Sequence, residues 1–270
     1  MEDVVPLEPF LKWAGGKRWL VDGLEELIPS SYDRYIEPFL GGGSIFFNLL
    51  PKRAILADVN GRLIETYQAI QSDWQSVLSI LHRHQRLHST EYYYQERSRV
   101  RRATAERAAQ FIYLNRTCWN GLYRVNLAGE FNVPRGSKNS VLLETDNFEE
   151  ISSALKRAKL ISQDFETTLS VAGEGDFVYL DPPYTVNHNL NGFLKYNEKI
   201  FSWKDQVRLR DSVVKAVARG ASIAVSNANH RSIRRLYAGI GRMVVVGRKS
   251  VIAASALRRG AINELLVITW

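Results

Sequence analysis

The sequence predicts an α/β fold: a sheet with strands covered on both faces, interrupted by a mainly helical insertion. Three stretches carry the prediction. Phe177-Val178-Tyr179-Leu180, led in by Gly175-Asp176, is a continuous apolar run closed by Asp181-Pro182-Pro183-Tyr184. Unbroken apolar character suits a strand buried on both sides, and two prolines without amide donors end it. Tyr35-Ile36-Glu37-Pro38-Phe39-Leu40-Gly41-Gly42-Gly43-Ser44 reads as strand, glycine loop and the start of a helix through Asn48; Ala54 to Asp58 is then a second short strand ending in a carboxylate. From Arg62 the pattern changes: Leu63, Tyr67, Ile70, Trp74, Val77, Leu78 and Leu81 recur at helical spacing.

The first motif in the chain is Phe10-Leu11-Lys12-Trp13-Ala14-Gly15-Gly16-Lys17-Arg18, ahead of a helix expected near Trp19 to Ile28. It is not a phosphate loop, because Leu11 stands where that loop needs its first glycine and Arg18 where it needs Ser or Thr. In the next motif, glycines after a strand let a ligand approach the backbone. An acidic residue ending the following strand, here Asp58, binds ribose hydroxyls in such sheets. Phe46 occupies the place of the third glycine in the dinucleotide pattern, so a nucleoside-bearing cofactor such as S-adenosylmethionine fits better than a dinucleotide.

Within the insertion, His82 to Arg107 is rich in Arg and His around Tyr92-Tyr93-Tyr94, and Ala105 to Asn115 reads as a second helix. His82, His84 and His88 are expected to meet solvent or phosphate. Asn115-Arg116-Thr117-Cys118-Trp119-Asn120-Gly121-Leu122-Tyr123-Arg124-Val125-Asn126 follows. Its turn formers suggest a loop leading into a short hairpin closed by Phe131-Asn132-Val133. Trp119 between Arg116 and Arg124 puts a large ring among cations. Such a ring wedges between base pairs, and an arginine fork reads guanine O6 and N7.

The α/β texture then resumes. Leu160 to Phe165 reads as a strand with an acidic-aromatic end, where an adenine ring would sit, and Asp176 to Leu180 as the next. Thr185 to Ile200 is a polar stretch with the character of a lid. Ser202 with Asp205 opens a helix that runs to about Arg219, and Gly220 ends it. Ala221 to Ser226 is another buried strand, and Arg242 to Gly247 with Glu264 to Thr269 forms a closing pair around a basic segment.

Composition narrows the classes. The 270 residues are 45% hydrophobic, enough for a large core in one domain or one domain with an insertion. The single cysteine, Cys118, excludes an internal disulfide, and the five scattered histidines form no metal-ligand cluster. No apolar run is long enough to span a bilayer, and the acidic start Met1-Glu2-Asp3 is unlike a secretory leader. A cytoplasmic, metal-free protein is expected. The net charge of +8 and a pI near 9.6 favour a polyanionic partner. An Asp carboxylate, a proline carbonyl and the Tyr184 ring at the end of a strand suit a flat, amine-bearing heterocycle such as adenine.

Together, Phe10 to Lys17, Glu37-Pro38-Phe39 with its glycines, Asp58, Asn120 to Arg124 with Phe131-Asn132-Val133-Pro134, and Asp181 to Tyr184 resemble the Dam-type N6-adenine-specific DNA methyltransferases over nearly the whole chain. The resemblance implies a seven-stranded Rossmann-like sheet, with S-adenosylmethionine as methyl donor. It also implies a catalytic domain from residues 1–61 and 149–270, with a target-recognition subdomain at 62–148. By motif match, Trp13, Lys17, Asp58 and Asp181 contact the cofactor, with Glu37, Phe39, Gly41, Gly43, Asp164 and Phe165 lining it. Asp181, Pro182 and Tyr184 act on the target adenine. Lys12, Arg116, Trp119, Asn120, Arg124 and Asn126 meet double-stranded DNA. GATC is the common family site, with an arginine such as Arg124 on the outer guanine. Trp119 stands where Tyr or Phe is expected, and Thr185 to Asn191 diverges. A monomer in solution is expected. A methyltransferase acting on RNA or a protein amide, and a non-catalytic DNA-binding module, are the rival classes.

Overall fold

The computed structural model describes residues 5–13, 15–17, 28–126, 128–186, 201–249 and 261–270. The helix expected near Trp19 to Ile28, most of the stretch from Thr185 to Ile200 and the basic segment around Arg258 and Arg259 lie outside the described residues.

Seven strands form one sheet: β1 (Arg34–Glu37), β2 (Ala54–Asp58), β3 (Ala158–Ser162), β4 (Asp176–Leu180), β5 (Ser222–Ala228), β6 (Arg242–Lys249) and β7 (Ala261–Ile268). Their order is β3-β2-β1-β4-β5-β7-β6. β1 pairs in parallel with β2 and β4, β4 pairs in parallel with β5, and β7 runs antiparallel between β5 and β6. This is the Rossmann-like α/β sheet that the sequence predicts. Every residue of β4 is buried, as its unbroken apolar run requires. The described helices are α1 (Ser44–Leu49), α2 (Gly61–Leu87), α3 (Thr90–Ser98), α4 (Thr104–Thr117), α5 (Phe148–Leu155), α6 (Phe165–Leu169), α7 (Trp203–Ala218) and α8 (Arg231–Leu236).

The chain divides into two compact units. The first comprises Met1–Val21, Leu40–Lys52 and Asp58–Gln163. Its long helix α2 starts on Asn60, whose side chain accepts from the Leu63 amide. Phe10 is the centre of an aromatic cluster with Phe47, Tyr67 and Phe148, at centroid distances of 5.1 to 6.3 Å. Part of the basic, histidine-rich stretch turns inward, contrary to the sequence expectation. His84 is buried, stacks on Tyr113 at 4.8 Å and bonds the Tyr92 hydroxyl through Nδ1 at 2.7 Å. Burial and the neighbouring Arg101, Arg83 and Arg99 push its pKa down to about 3. His88 Nδ1 pairs with the Tyr113 hydroxyl at 2.9 Å. Arg101 grips the fully buried Glu96 with two bonds of 2.8 and 2.6 Å. At i, i+4 and i+7, Val77, Leu81 and His84 lie on one stripe, so His84 belongs to the apolar face of α2.

The second unit comprises Asp22–Phe39, Arg53–Ala57 and Asp164–Trp270. Its core joins Ile36, Val178, Leu180, Ile223 and Val225 from the sheet to Leu209 and Val213 of α7. Ser202 and Asp205 form the predicted capping box on α7, and Gly220 leaves the helix with φ +91°. One boundary differs from the sequence reading. β3 stops at Ser162, and Asp164 caps α6 by accepting from the Glu166 amide at 2.9 Å, with Phe165 as the first helical residue. An Asp followed by Phe-Glu-Thr-Thr is a helix start, and the cap outweighs the preceding strand pattern.

Candidate active site and DNA-reading loop

In the first unit, the glycine loop leads into α1 with Gly41 at φ +49° and Gly43 at φ +67°. A Cβ on Gly41 would lie 2.7 Å from Trp13 Cδ1, so glycine is required there by backbone and by space. Trp13 itself is half-buried and stacks on Tyr123 at 5.6 Å and Phe111 at 6.4 Å. Asp58, the last residue of β2, accepts from the Gly41 amide at 3.1 Å and the Asn60 amide at 2.9 Å. Burial pushes its pKa up against the pull of those amides. The Tyr67 hydroxyl donates to the Gly41 carbonyl at 3.1 Å, and the buried Lys17 ammonium donates to the Gly15 carbonyl at 3.1 Å. Trp13, Gly41 and Asp58 are thus brought together by short contacts.

In the second unit, β4 delivers Asp181 to the carboxyl edge of the sheet, and Pro182 is buried. The turn after it is held from behind. Gln206 of α7 donates to the Pro183 carbonyl at 3.3 Å, and Asn227 of β5 donates to Gln206 at 3.1 Å. The Tyr184 hydroxyl lies 2.9 Å from Ser226 Oγ and 2.8 Å from Glu264 Oε2. Burial raises the Tyr184 pKa well above its usual value. Phe39 stacks on Phe165 at 5.4 Å, and the Arg208 guanidinium covers Phe165 at 4.5 Å. Arg208 also binds Asp164 at 2.5 Å, Glu166 at 2.9 Å and Asp205 at 2.9 Å, so Phe39, Asp164 and Phe165 share one cluster. Glu37, buried, accepts from the Tyr35 hydroxyl at 3.0 Å.

The loop after α4 belongs to the first unit. Trp119 opens a single 3-10 turn and is 53% exposed, with Asn120 in the left-handed region at φ +54°. Asn115, buried, accepts from the Lys12 amide at 2.8 Å and donates to the Lys12 carbonyl at 2.7 Å and the Gly121 carbonyl at 3.3 Å. Lys12 and the Trp119 turn are therefore tied to one amide. The expected short hairpin is there as an antiparallel bridge between Val125 and Phe131, flanked by the Asn126 amide on the Glu130 carbonyl at 2.9 Å and the Asn132 amide on the Arg124 carbonyl at 3.1 Å. Arg124 is exposed and leans on Asn132 Oδ1 at 2.7 Å. Asn126 serves the turn, accepting from the amides of Ala128 and Glu130 and donating to the Glu130 carboxylate at 2.9 Å.

Arg116 corrects the sequence reading. It is 0% exposed. Its guanidinium binds Asp146 twice, at 2.6 and 2.5 Å, and donates to the carbonyls of Val141 at 2.7 Å and Phe10 at 2.9 Å. A fork closed by four acceptors inside the protein cannot also serve DNA.

A family model for the D12 class N6 adenine-specific DNA methyltransferase matches residues 13–251. The chain belongs to that class. This D12-class methyltransferase is 37% identical over 275 residues to a Type II methyltransferase, M1.LlaDCHI, of Lactococcus lactis subsp. cremoris, covering 98% of this chain and 96% of the relative. It is 33% identical to a DNA adenine methylase of Serratia marcescens, with 96% and 97% covered. It is 30% identical to that of Escherichia coli, with 96% and 94% covered. The match makes this an adenine-specific DNA methyltransferase and DNA its substrate.

The sequence reading of the D12-class enzyme missed Asn115, Arg208, Gln206, Ser226, Asn227 and Glu264. Ser226-Asn227 ends an apolar run that starts at Ala221, and two polar residues in a buried strand were the available signal. Glu264 opens the run Leu265 to Ile268 and was readable only as a strand end. No helix among the described residues is long and apolar enough to cross a membrane.

Proposed function

We propose that this D12-class enzyme transfers a methyl group from S-adenosylmethionine to N6 of an adenine flipped out of duplex DNA, with GATC as the first site to test. The observation that carries the reading is Asp181 at the mouth of the fully buried β4, followed by a stiff Pro-Pro turn and a tyrosine anchored at its hydroxyl. The residues present fit the cofactor. Asp58 is a carboxylate whose donors are backbone amides of the glycine loop and the following turn, leaving lone pairs for ribose hydroxyls. Gly41 keeps backbone and indole in contact where a side chain would part them.

When bound, S-adenosylmethionine supplies an electrophilic methyl group. Trp13, Lys17, Gly41, Gly43, Asp58 and Asp181 would hold it, with Glu37, Phe39, Asp164 and Phe165 as further lining. Adenine N6 is a poor nucleophile, because its lone pair is delocalised into the ring. The Asp181 carboxylate and the Pro182 carbonyl accept its two hydrogens and favour the pyramidal nitrogen of the transition state. Tyr184 stacks on the extruded base. Lys12, Trp119, Asn120, Arg124 and Asn126 meet the duplex, Trp119 as a wedge and Arg124 as a reader of guanine. Residues 62–148 form the target-recognition insertion in a catalytic domain made of 1–61 and 149–270.

The test is transfer of tritiated methyl to duplex DNA, RNA and protein, followed by methylation-aware sequencing of plasmid from cells expressing the chain. Label confined to duplex DNA, with N6-methyladenine at one short site, is expected. Label in RNA or protein, or no cofactor binding by calorimetry, overturns the reading. The exposed Trp119 and the exposed Arg124 on the same loop are what favour duplex DNA over the other polymers.

A further inference from the structure

We propose that Glu264 is a positioning residue for methyl transfer: through the Tyr184 hydroxyl, and with Ser226, it sets the plane in which the Tyr184 ring stacks on the target base. The inference rests on the reading of Tyr184 as the base-stacking ring.

Glu264 lies on β7, paired to Ala228 of β5 on one side and Val246 of β6 on the other. It is 2% exposed, in a run whose next four residues are apolar and buried. An acid at such a position costs folding free energy unless it is hydrogen-bonded. A leucine would pack there without that cost. The Tyr184 hydroxyl donates to Oε2 of the carboxylate at 2.8 Å, and Ser226 Oγ, 3.4 Å from the same oxygen, has its single proton to give either to it or to the nearer Tyr184 oxygen. With the Tyr184 phenol donating to Glu264, the Ser226 hydroxyl, 2.9 Å away, donates to the Tyr184 oxygen.

Phenol geometry turns these contacts into ring orientation. The oxygen of a tyrosine lies on the axis about which the ring spins, so fixing its position alone leaves the spin free. The O–H bond and the remaining lone pair prefer the ring plane, so a donor partner and an acceptor partner together choose that plane. The other end of the residue is equally constrained. Pro183 is held by Gln206 at 3.3 Å, and the Thr185 hydroxyl donates to the Phe201 carbonyl at 2.6 Å. Tyr184 is thereby fixed at backbone and hydroxyl.

The test compares Tyr184→Phe, Tyr184→Ala, Glu264→Ala, Glu264→Gln and the double variant Tyr184→Phe/Glu264→Ala. Flipping is read from 2-aminopurine at the target position, alongside kcat, KM and thermal melting. Glu264→Ala should lower kcat and the flipping signal about tenfold, the effect of losing one hydrogen bond to a charged group. Tyr184→Phe should do the same, and the double variant should lose no more than either, because all three break one contact. Glu264→Gln should recover most of the loss, since its amide oxygen accepts from the same phenol. Tyr184→Phe removes the contact without touching β7, so it decides the matter even if Glu264→Ala does not fold. Additive losses, or a lowered melting temperature with kcat and flipping intact, overturn the inference. Full flipping in Tyr184→Ala overturns the stacking reading itself. Impaired flipping there, with normal kcat in Glu264→Ala and Tyr184→Phe, overturns only the role of Glu264.

Discussion

Replacing Arg116 by Ala distinguishes an internal clamp from a DNA contact. The side chain is fully buried and makes a two-point pair with Asp146, itself nearly buried. It also satisfies the carbonyls of Phe10 and Val141, and its guanidinium lies 5.8 Å from the Phe148 ring centroid. Truncation leaves Asp146 in the interior with the Leu143 amide at 2.9 Å. Breaking a buried pair from one side costs about 3–5 kcal/mol. With a urea slope near ~3 kcal/mol per molar, the unfolding midpoint falls by roughly 1–1.7 M. The assay is urea denaturation of the wild type, Arg116→Ala, Asp146→Ala and the double variant, with a coupling in the cycle that marks the pair. DNA affinity is measured in parallel against salt. A phosphate contact contributes about 0.9 to the logarithmic slope, and that slope should not change. A loss of stability under ~1 kcal/mol, together with a slope reduced by about one, would refute the internal role.

Asp181→Ala should abolish methyl transfer while circular dichroism and melting stay near wild type, because its backbone ends a strand and its carboxylate serves the reaction; near-normal turnover sinks the assignment. Asp58→Ala should weaken cofactor binding in calorimetry by about 1.5–3 kcal/mol, the range for hydrogen bonds to a charged group. Arg124→Ala should relax preference at one base by roughly 1–3 kcal/mol, whereas Trp119→Ala should slow all duplexes alike; rates on singly substituted duplexes separate the two. His84 is held neutral, with its pKa down at about 3, so between that value and the unfolded value near 6.5 the unfolded chain binds the extra proton. Stability is therefore full above pH ~6.5 and declines as pH falls toward about 3. Urea midpoints in that window should fall less steeply in His84→Phe.

Legibility followed the range of the interactions. The end of β2 at Asp58 and the capping box of Ser202 and Asp205 are local chemistry, and both stand where the pattern put them. β4 was readable because its burial on both faces is written as one apolar run. Arg116 was not, because its acceptors come from Phe10, Val141 and Asp146, as far as 106 residues away, and an arginine near a turn reads the same whether it faces inward or outward. His84 hid in a basic stretch whose helical phase places it with Leu81. The proline turn at Asp181 was plain, but the polar groups behind it, Gln206, Ser226, Asn227 and Glu264, meet only through the sheet and α7.

The strand order has a consequence for how the enzyme comes into being. β7 follows β6 in the chain, yet it lies between β5 and β6, and both of its edges are bonded. As the polypeptide leaves the ribosome, β5 emerges with one flank bare and β6 has no neighbour to join. Both wait for the strand that carries Glu264. Until it arrives, the bare flank is an open template for other chains, and the Tyr184 hydroxyl lacks Glu264. Nascent chains halted before residue 261 would hold the Asp181 turn without the strand behind it.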